Sequence, residues 1–196
     1  MAPPARDSEL VQIMDASLAE AARRAGQWLA CRIGCTQCCH GAFPINAPDA
    51  ARLRAGMEIL RAREPEVAAE VTRRAQAWIG EHGPFFPGDP HTGQLGTSPK
   101  HRDDFETFAN DAPCPALDPA TGRCDVYVWR PMTCRVFGPP VRVEGDALGC
   151  CELCFVGASE EAIAACEMPV PHDLEADLIA EMGDDSETVV AFALLP

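Results

Sequence analysis

Long apolar runs and basic side chains are both scarce in this sequence. No run of eighteen apolar residues occurs, and the first residues show no apolar stretch behind a basic start. This pattern predicts neither a membrane span nor a signal peptide, so we expect a cytoplasmic protein. The 16 basic residues are outnumbered by 30 acidic ones, which gives a formal charge of −14. Because such a charge repels phosphate backbones and anionic lipids, we expect no nucleic-acid or membrane partner.

Familiar catalytic patterns are also missing. The sequence has no Glu-x-x-His pair and no Ser, His and Asp set that can be assembled into a triad. It therefore leaves open whether the protein is an enzyme. The chain has 196 residues, and 47% of them are apolar, which is enough for a single domain over 1–196 with a core that needs no disulfides.

Apolar residues at spacings of three and four predict three longer helices. Residues 8–30 form an amphipathic stretch that leads to the first cysteine. Residues 48–62 and 65–80 each begin near a proline and carry one apolar stripe, so we expect two antiparallel helices, the first with its arginines on the outer faces. We find no internal repeat. We expect the other segments to be a long loop at 80–103, a short helix at 104–109, a tight turn at 118–122, helices at 159–166 and 173–182, and a strand or helix at 187–195.

The eleven cysteines fall into groups along the chain. In a reducing cytosol, grouped cysteines indicate metal ligands or redox thiols rather than disulfides, and their odd number agrees with this interpretation. A long segment without any cysteine separates the first group from the second, and we expect it to serve as scaffold. The cysteines are Cys31, Cys35, Cys38 and Cys39, then Cys114, Cys124 and Cys134, then Cys150, Cys151 and Cys154, and finally Cys166.

Two Cys-x2-Cys pairs carry the metal prediction, because this spacing lets two thiolates of one turn converge on a metal. Cys38 and Cys39 are adjacent, and neighbouring side chains normally diverge. The sequence therefore predicts two metal sites or one polynuclear site. Eight cysteines would make two sets of four, with the partition left open, namely Cys35, Cys38, Cys39, Cys114, Cys124, Cys134, Cys151 and Cys154. Cys150 and Cys166 are not counted among the candidate ligands. We expect Cys166 to be a small buried side chain.

These residues resemble the family of cysteine-cluster proteins named for a CxxCxxCC motif and described as zinc- or iron-chelating, or iron–sulfur, proteins. The matching stretches are Cys35-Thr-Gln-Cys38-Cys39, Cys114-Pro-Ala-Leu117, Cys124-Asp-Val-Tyr127, Arg130-Pro-Met-Thr-Cys134-Arg135-Val-Phe137, and the closing Cys151 and Cys154. The first spacing departs from the motif, with three residues between Cys31 and Cys35 instead of two, so Cys31 is a less regular ninth candidate.

The resemblance implies metal binding and favours iron–sulfur over zinc. The same domain occurs in a flagellin lysine methylase, but this chain has no Gly-rich strand-to-helix loop of the kind that commonly holds S-adenosylmethionine, so that activity is not carried over. Arg130 and Arg135 flank Cys134. Their guanidinium groups would offset the negative charge of a thiolate-bound metal, the alternative being surface ion pairs.

We therefore expect a mainly α fold, a small helical domain around an irregular, loop-built cysteine core. The metal-binding region would span 31–155 and include a helical insert at 46–80, with flanking helices at 1–30 and 156–196. The leading hypothesis is a protein that holds one or two iron–sulfur clusters, 4Fe-4S favoured, for electron transfer or as a redox module of a protein partner. The alternatives are a structural or chaperoning zinc module, and a dithiol oxidoreductase.

Overall fold

The structure is a computed structural model that describes residues 2–32, 34–142 and 147–196. The fold is mainly α, as expected, and 52% of it is helical. The described α-helices are α1 (Asp7–Ala25), α2 (Ala47–Arg63), α3 (Pro65–His82), α4 (Pro99–Phe105), α5 (Met132–Val136), α6 (Glu160–Ala164), α7 (His172–Met182) and α8 (Val190–Ala193). Three antiparallel hairpins pair β1 (Gly88–Asp89) with β2 (Gln94–Leu95), β3 (Leu117–Asp118) with β4 (Arg123–Cys124), and β5 (Val141–Arg142) with β6 (Leu148–Gly149). Within these described ranges, no helix has the length and apolar content needed to cross a bilayer.

Helices α2 and α3 form the predicted helix pair and carry the largest core. A single residue, Glu64, joins them, and each has a proline in its first turn, where the missing N–H costs nothing. The Asn46 side chain accepts the Asp49 N–H at 3.0 Å and so starts α2. The predicted stripes are buried and pack with the short helix α8, the core residues including Leu53, Met57, Leu60, Val71, Ala75, Val190 and Leu194.

A second core joins the ends of the chain to the cysteine region. Helix α1 packs against α5 and α7, and the buried apolar side chains between them are Leu10, Met14, Ala21, Met132, Met168, Leu174 and Leu178. The 3₁₀ turn Gly26–Trp28 follows α1 and turns the chain towards the first cysteine. The N-terminal helix thus does what its sequence pattern predicts, since it delivers the cysteine-bearing loop while its apolar face is buried.

Several short elements differ from the sequence prediction. The helix expected at 104–109 is wrong, since α4 ends at Phe105 and residues 106–109 form a turn. Helix α4 starts earlier because the Ser98 hydroxyl accepts the His101 N–H at 3.2 Å as its cap. The long loop expected at 80–103 contains β1 and β2. The segment at 187–195 contains α8, preceded by a bridge between Ile45 and Thr188. Helix α5 was not predicted, since five residues after a proline show no period.

A buried ion network corrects the expectation that the arginines of α2 face outward. Arg52 is only 4% exposed. Its guanidinium donates to both Asp7 carboxylate oxygens, at 2.8 and 2.5 Å, and to Asp49 Oδ1 at 2.6 Å. The Asp49 carboxylate also accepts the Met132 N–H, at 3.0 and 3.1 Å. One guanidinium and one carboxylate therefore connect α1, α2 and the first turn of α5.

Replacing Arg52 with Met should lower the free energy of unfolding by about 3–5 kcal/mol, because it leaves two buried carboxylates without their cation. Urea unfolding followed by circular dichroism measures this. Arg23→Met is the matched control on α1, since Arg23 pairs with Glu20 at the exposed surface and its removal should leave the midpoint unchanged. Equal midpoints for the two variants would show that Arg52 is not needed to compensate the two buried carboxylates.

Candidate metal centre

Hydrogen bonds between distant loops bring the cysteines together. The Phe155 N–H donates to the Trp28 carbonyl at 2.8 Å, which holds the last cysteine loop beside the first one. The Cys151 N–H donates to the Gly138 carbonyl at 3.4 Å, and the Cys114 N–H donates to the Cys39 carbonyl at 2.7 Å. Because these contacts join segments far apart in the sequence, the thiols gather in a loop region beside the helical cores.

Five cysteines line one hollow at the surface, namely Cys31, Cys35, Cys38, Cys151 and Cys154, and the four other than Cys38 are called the first thiol group. Phe137 and Leu153 form part of the same wall. Burial raises the pKa of Cys31, and the negative charges that Cys35, Cys38, Cys154 and Cys151 would carry raise it further. Cys151 and Cys154 lie within hydrogen-bonding contact of each other. The hollow is thus surrounded by thiols that influence one another.

Three further cysteines lie around Cys38 and form with it the second thiol group: Cys38, Cys114, Cys124 and Cys134. The β3–β4 hairpin places Cys124 opposite Leu117, whose N–H donates to the Cys114 carbonyl at 2.9 Å. Helix α5 supplies Cys134. The pKa of Cys134 lies well above its usual value because of burial first, and then because of Cys114, Cys124 and Cys38.

Burial dominates the electrostatics of the second thiol group. It raises the pKa of Cys114 to about 12 and that of Cys124 to about 11. Backbone N–H groups oppose the shift by donating to the sulfur atoms, those of Ala116 and Leu117 to Cys114, and that of Val126 to Cys124. The pKa of Cys38 is raised chiefly by its hydrogen bond with Cys39 and then by burial. The N–H donors would stabilise the thiolate form that a metal requires.

The two arginines singled out in the sequence occupy different positions. Arg130 is close enough to lower the pKa of Cys38 and Cys124, and its guanidinium lies 3.9 Å from the centre of the Tyr127 ring. Arg135 is 1% exposed and donates to Asp15 at 2.5 Å and to the Val128 carbonyl at 2.7 Å. Arg130 therefore lies near thiols, whereas Arg135 holds the loop before α5 through hydrogen bonds. A role for these two arginines beside a bound metal stays a prediction.

The hairpin that carries Cys124 has a counterpart elsewhere in the chain. Both turns read Asp-Pro-x-Thr-Gly, at 89–93 and 118–122. In each, the aspartate accepts the N–H two residues on, at 2.9 or 3.0 Å, and the threonine hydroxyl. Each also ends on a glycine with positive φ, 74° for Gly93 and 67° for Gly122. No repeat was predicted from the sequence, yet this five-residue pattern indicates both hairpins.

Three cysteines belong to neither thiol group. Cys39 is partly exposed and lies next to Cys38. Cys150 is exposed, and Cys166 is buried beside Ala25 and Phe155, as expected for a small apolar side chain. The sequence reasoning also missed Asp15 and Asp49, which hold the arginines and the α5 terminus through contacts that no local pattern reveals.

A donor set made of thiols fits zinc or an iron–sulfur cluster, since both prefer soft sulfur ligands. Each thiol group has the four sulfur atoms that such a centre needs. Across residues 2–32, 34–142 and 147–196, no three His, Cys, Asp or Glu side chains are arranged to hold a metal ion. The backbone nevertheless brings thiols from distant loops into one region.

The metal-free, reduced protein should lose stability as the pH rises above about 8.5, the usual pKa of a free thiol. A thiol with a raised pKa holds its proton more tightly in the folded state than in the unfolded chain, so the stabilisation is complete below that pH. It is then lost towards about 11 for Cys124 and about 12 for Cys114. Urea midpoints between about pH 7.5 and 10.5 test this, and the double variant Cys114→Ala/Cys124→Ala should show a shallower decline. A rising midpoint would contradict it.

The two matching hairpins allow a paired test. Asp118→Ala removes the hydrogen bonds of the turn between β3 and β4, and it should lower the amount of metal bound because Cys124 follows that turn. Asp89→Ala removes the same bonds between β1 and β2, which carry no cysteine, and should leave the metal content unchanged. Metal analysis of both purified variants provides the measurement. Equal effects would show that the hairpin does not position Cys124 for binding.

Comparison with known proteins agrees with this geometry. A family model named CxxCxxCC, with the description "Putative zinc- or iron-chelating domain", matches residues 30–154. Searches of curated proteins and of solved structures found no match. The matched stretch includes every cysteine of both thiol groups and more than half of the chain. The chain belongs to the CxxCxxCC family of zinc- or iron-chelating domains.

Proposed function

We propose that the protein holds iron–sulfur clusters of the 4Fe-4S type on its two thiol groups and serves as a redox module for a protein partner. The observation that carries this proposal is the gathering of thiols from distant loops, five of them around one hollow and three more, Cys114, Cys124 and Cys134, whose charges act on one another or on Cys38. Membership in a family of zinc- or iron-chelating domains supports the metal. A bound cluster would supply one-electron oxidation and reduction.

The number of grouped thiols supports more than one metal atom. A single tetrahedral zinc ion takes four thiolates, and the matched stretch carries ten cysteines. A second zinc ion or a polynuclear iron–sulfur centre would use the additional thiolates.

Charge compensation by arginine supports a thiolate-bound metal centre. A 4Fe-4S cluster in its 2+ state with four thiolates carries a net charge of 2−, in a chain that is already at −14. The Arg130 guanidinium, near Cys38 and Cys124, would offset this charge and raise the reduction potential. Asp15 accepts hydrogen bonds from both Arg130, at 3.4 Å, and Arg135, and so keeps Arg130 in place.

The first thiol group supports a role for an approaching partner. Cys31 is exposed, and Phe137 and Leu153, which line the same hollow, are 38% and 46% exposed. Short distances favour electron transfer, and a hollow with apolar walls at the surface would let a partner protein come close to this group. A protein partner that gives or takes one electron fits this arrangement.

Anaerobic purification followed by iron, acid-labile sulfide and zinc analysis tests the proposal. We expect equimolar iron and sulfide, and a broad visible absorption that bleaches on reduction with dithionite. Cys134→Ala should lower both iron and sulfide, whereas Cys166→Ala, at a buried site outside both thiol groups, should retain them.

A colourless protein with stoichiometric zinc and no labile sulfide would overturn the iron–sulfur proposal. The zinc module would then be the better description, and a redox titration of the metal-loaded protein would show no metal-centred midpoint. Free thiols with no bound metal would instead support the dithiol oxidoreductase.

A further inference from the structure

We infer that residues 151–161, together with Phe137, form a docking surface for a protein partner whose contact face is basic around an apolar centre. This inference rests on the proposed function for the existence of a partner, and it goes beyond it by naming the surface and the partner's chemistry. The docking surface consists of three exposed apolar side chains and three exposed glutamates, namely Phe137, Leu153 and Val156, and Glu152, Glu160 and Glu161.

The apolar side chains of the docking surface lie at the mouth of the thiol hollow and beside it. Leu153 and Phe137 line the hollow, and the Phe137 ring packs with that of Phe43, with 6.0 Å between the ring centres. Val156 follows three residues after Leu153 and is 74% exposed. Adjoining exposed apolar side chains mark interaction sites on protein surfaces. A partner that covers these side chains would come close to the thiols.

The backbone holds the apolar side chains outward before any partner binds. Cys154 and Phe155 lie between Leu153 and Val156, and each is only 4% exposed. Phe155 takes a φ of 57°, which is rare for a bulky residue, and its N–H donates to the Trp28 carbonyl at 2.8 Å. Because this inward pair is fixed, its two neighbours stay exposed. A preformed surface loses less conformational entropy on binding.

The charges next to the apolar side chains are acidic. Residues 151–164 contain Glu152, Glu160 and Glu161 and no Lys or Arg. The Glu152 carboxylate accepts a hydrogen bond at 2.6 Å from the Gln37 amide, a group that carries no charge. The pKa of Glu161 is lowered chiefly because its own N–H donates to the carboxylate, so this side chain is ionised at neutral pH. The apolar centre is thus bordered by negative charge.

The wider charge distribution indicates the same kind of partner. Residues 143–196 include 13 acidic side chains and no Lys or Arg. The facing stretch of the hollow, at 31–38, has one charged side chain, Arg32. A face with Lys and Arg around an apolar centre would therefore be attracted as it approaches. An acidic protein, or a second copy of this chain at −14, would be repelled.

Calorimetric titration of the metal-loaded full chain with cytochrome c tests the inference. Cytochrome c is a basic one-electron carrier and serves as the probe. We expect binding at about 20 mM salt that weakens about tenfold at about 200 mM, because salt screens exposed charges. Flavodoxin, an acidic one-electron carrier, should not bind. Absence of cytochrome c binding at low salt would overturn the inference.

Two triple variants with the same change in net charge locate the charged contacts. In one, the glutamates of the docking surface are replaced with glutamine, and cytochrome c binding at low salt should weaken about tenfold. In the other, three exposed glutamates of α3 are replaced, and binding should change much less. Equal weakening in both would overturn the inference. The variants are Glu152→Gln/Glu160→Gln/Glu161→Gln and Glu66→Gln/Glu70→Gln/Glu81→Gln.

A further pair of variants tests the apolar centre. Leu153→Ser/Val156→Ser should weaken cytochrome c binding about tenfold at both salt concentrations, since buried apolar contacts are not screened by salt. Ile59→Ser/Phe85→Ser is the matched control, because both side chains are exposed elsewhere on the protein. Circular dichroism verifies that each variant keeps its helices. Unchanged binding in the first variant would show that the apolar side chains are not part of the interface.

Carbodiimide cross-linking of the wild-type protein maps the contact without any substitution. The reagent joins carboxylates to lysine amines, and this chain has a single lysine, Lys100. Cross-links from its carboxylates therefore report the lysines of cytochrome c. Mass spectrometry should find them at Glu152, Glu160 and Glu161. Cross-links confined to the acidic side chains of α7 would overturn the inference.

The result can be separated from that of the iron–sulfur proposal. Zinc in place of iron would end the redox function, while cytochrome c binding that depends on the docking surface would still support the inference. Conversely, equimolar iron and sulfide in a protein whose cytochrome c binding is unchanged by the surface variants would support the cluster and overturn the docking surface.

Discussion

The arrangement of the cysteine region depends on the hydrogen bonds that the buried Asp49 carboxylate accepts. This carboxylate accepts hydrogen bonds from the Arg52 guanidinium within α2 and from the first N–H of α5, while Arg52 reaches on to Asp7 in α1. Burial raises the pKa of Asp49 to about 6, even though the Arg52 charge and the Met132 N–H favour its ionised form. Burying such charges is expensive, and what the network provides is position rather than net stability. Cys134 lies two residues beyond that N–H, so its place is set by ions outside the thiol groups.

A second ion pair extends the same arrangement. Asp15 of α1 receives Arg135, which also donates to the Val128 and Arg130 carbonyls at 2.7 and 3.2 Å. The loop before α5 therefore has its carbonyls turned towards guanidinium groups. This leaves the Arg130 side chain on the thiol side. Helix α1 thus contributes two carboxylates that organise a region far from it in sequence.

The helices were predictable because each shows its apolar stripe within one segment, as in Leu53, Met57 and Leu60 of α2. The burial of Arg52 was not predictable, since its carboxylate partner Asp7 lies 45 residues away and no local pattern reveals that pairing. Strands β5 and β6 and helix α5 were equally hidden, because elements this short have no period. The Asp-Pro-x-Thr-Gly pattern was present twice and would have predicted both hairpins.

The candidate cysteines could be named from their spacing, but which of them lie side by side could not be predicted. Grouping Cys31 with Cys151 depends on contacts such as Phe155 with Trp28, which join opposite ends of the matched region. The irregular spacing made Cys31 a less regular candidate ligand. Sequence spacing does not show that Gly34 takes a positive φ, which lets the chain turn within the longer segment. That adjacent Cys38 and Cys39 require two metal sites or one polynuclear site stays a prediction.

The β3–β4 hairpin also has a kinetic consequence. Its hydrogen bonds are all local, and hairpins of this kind close within about 1–10 μs, much faster than contacts between distant segments form. Within the second thiol group, Cys114 and Cys124 are therefore the pair that local folding would bring together first. A metal captured there would present Cys38 and Cys134 with a nearby target, so that their slower, long-range approach becomes intramolecular. The order of ligand addition would then follow contact distance along the chain rather than the order of the cysteines in the sequence.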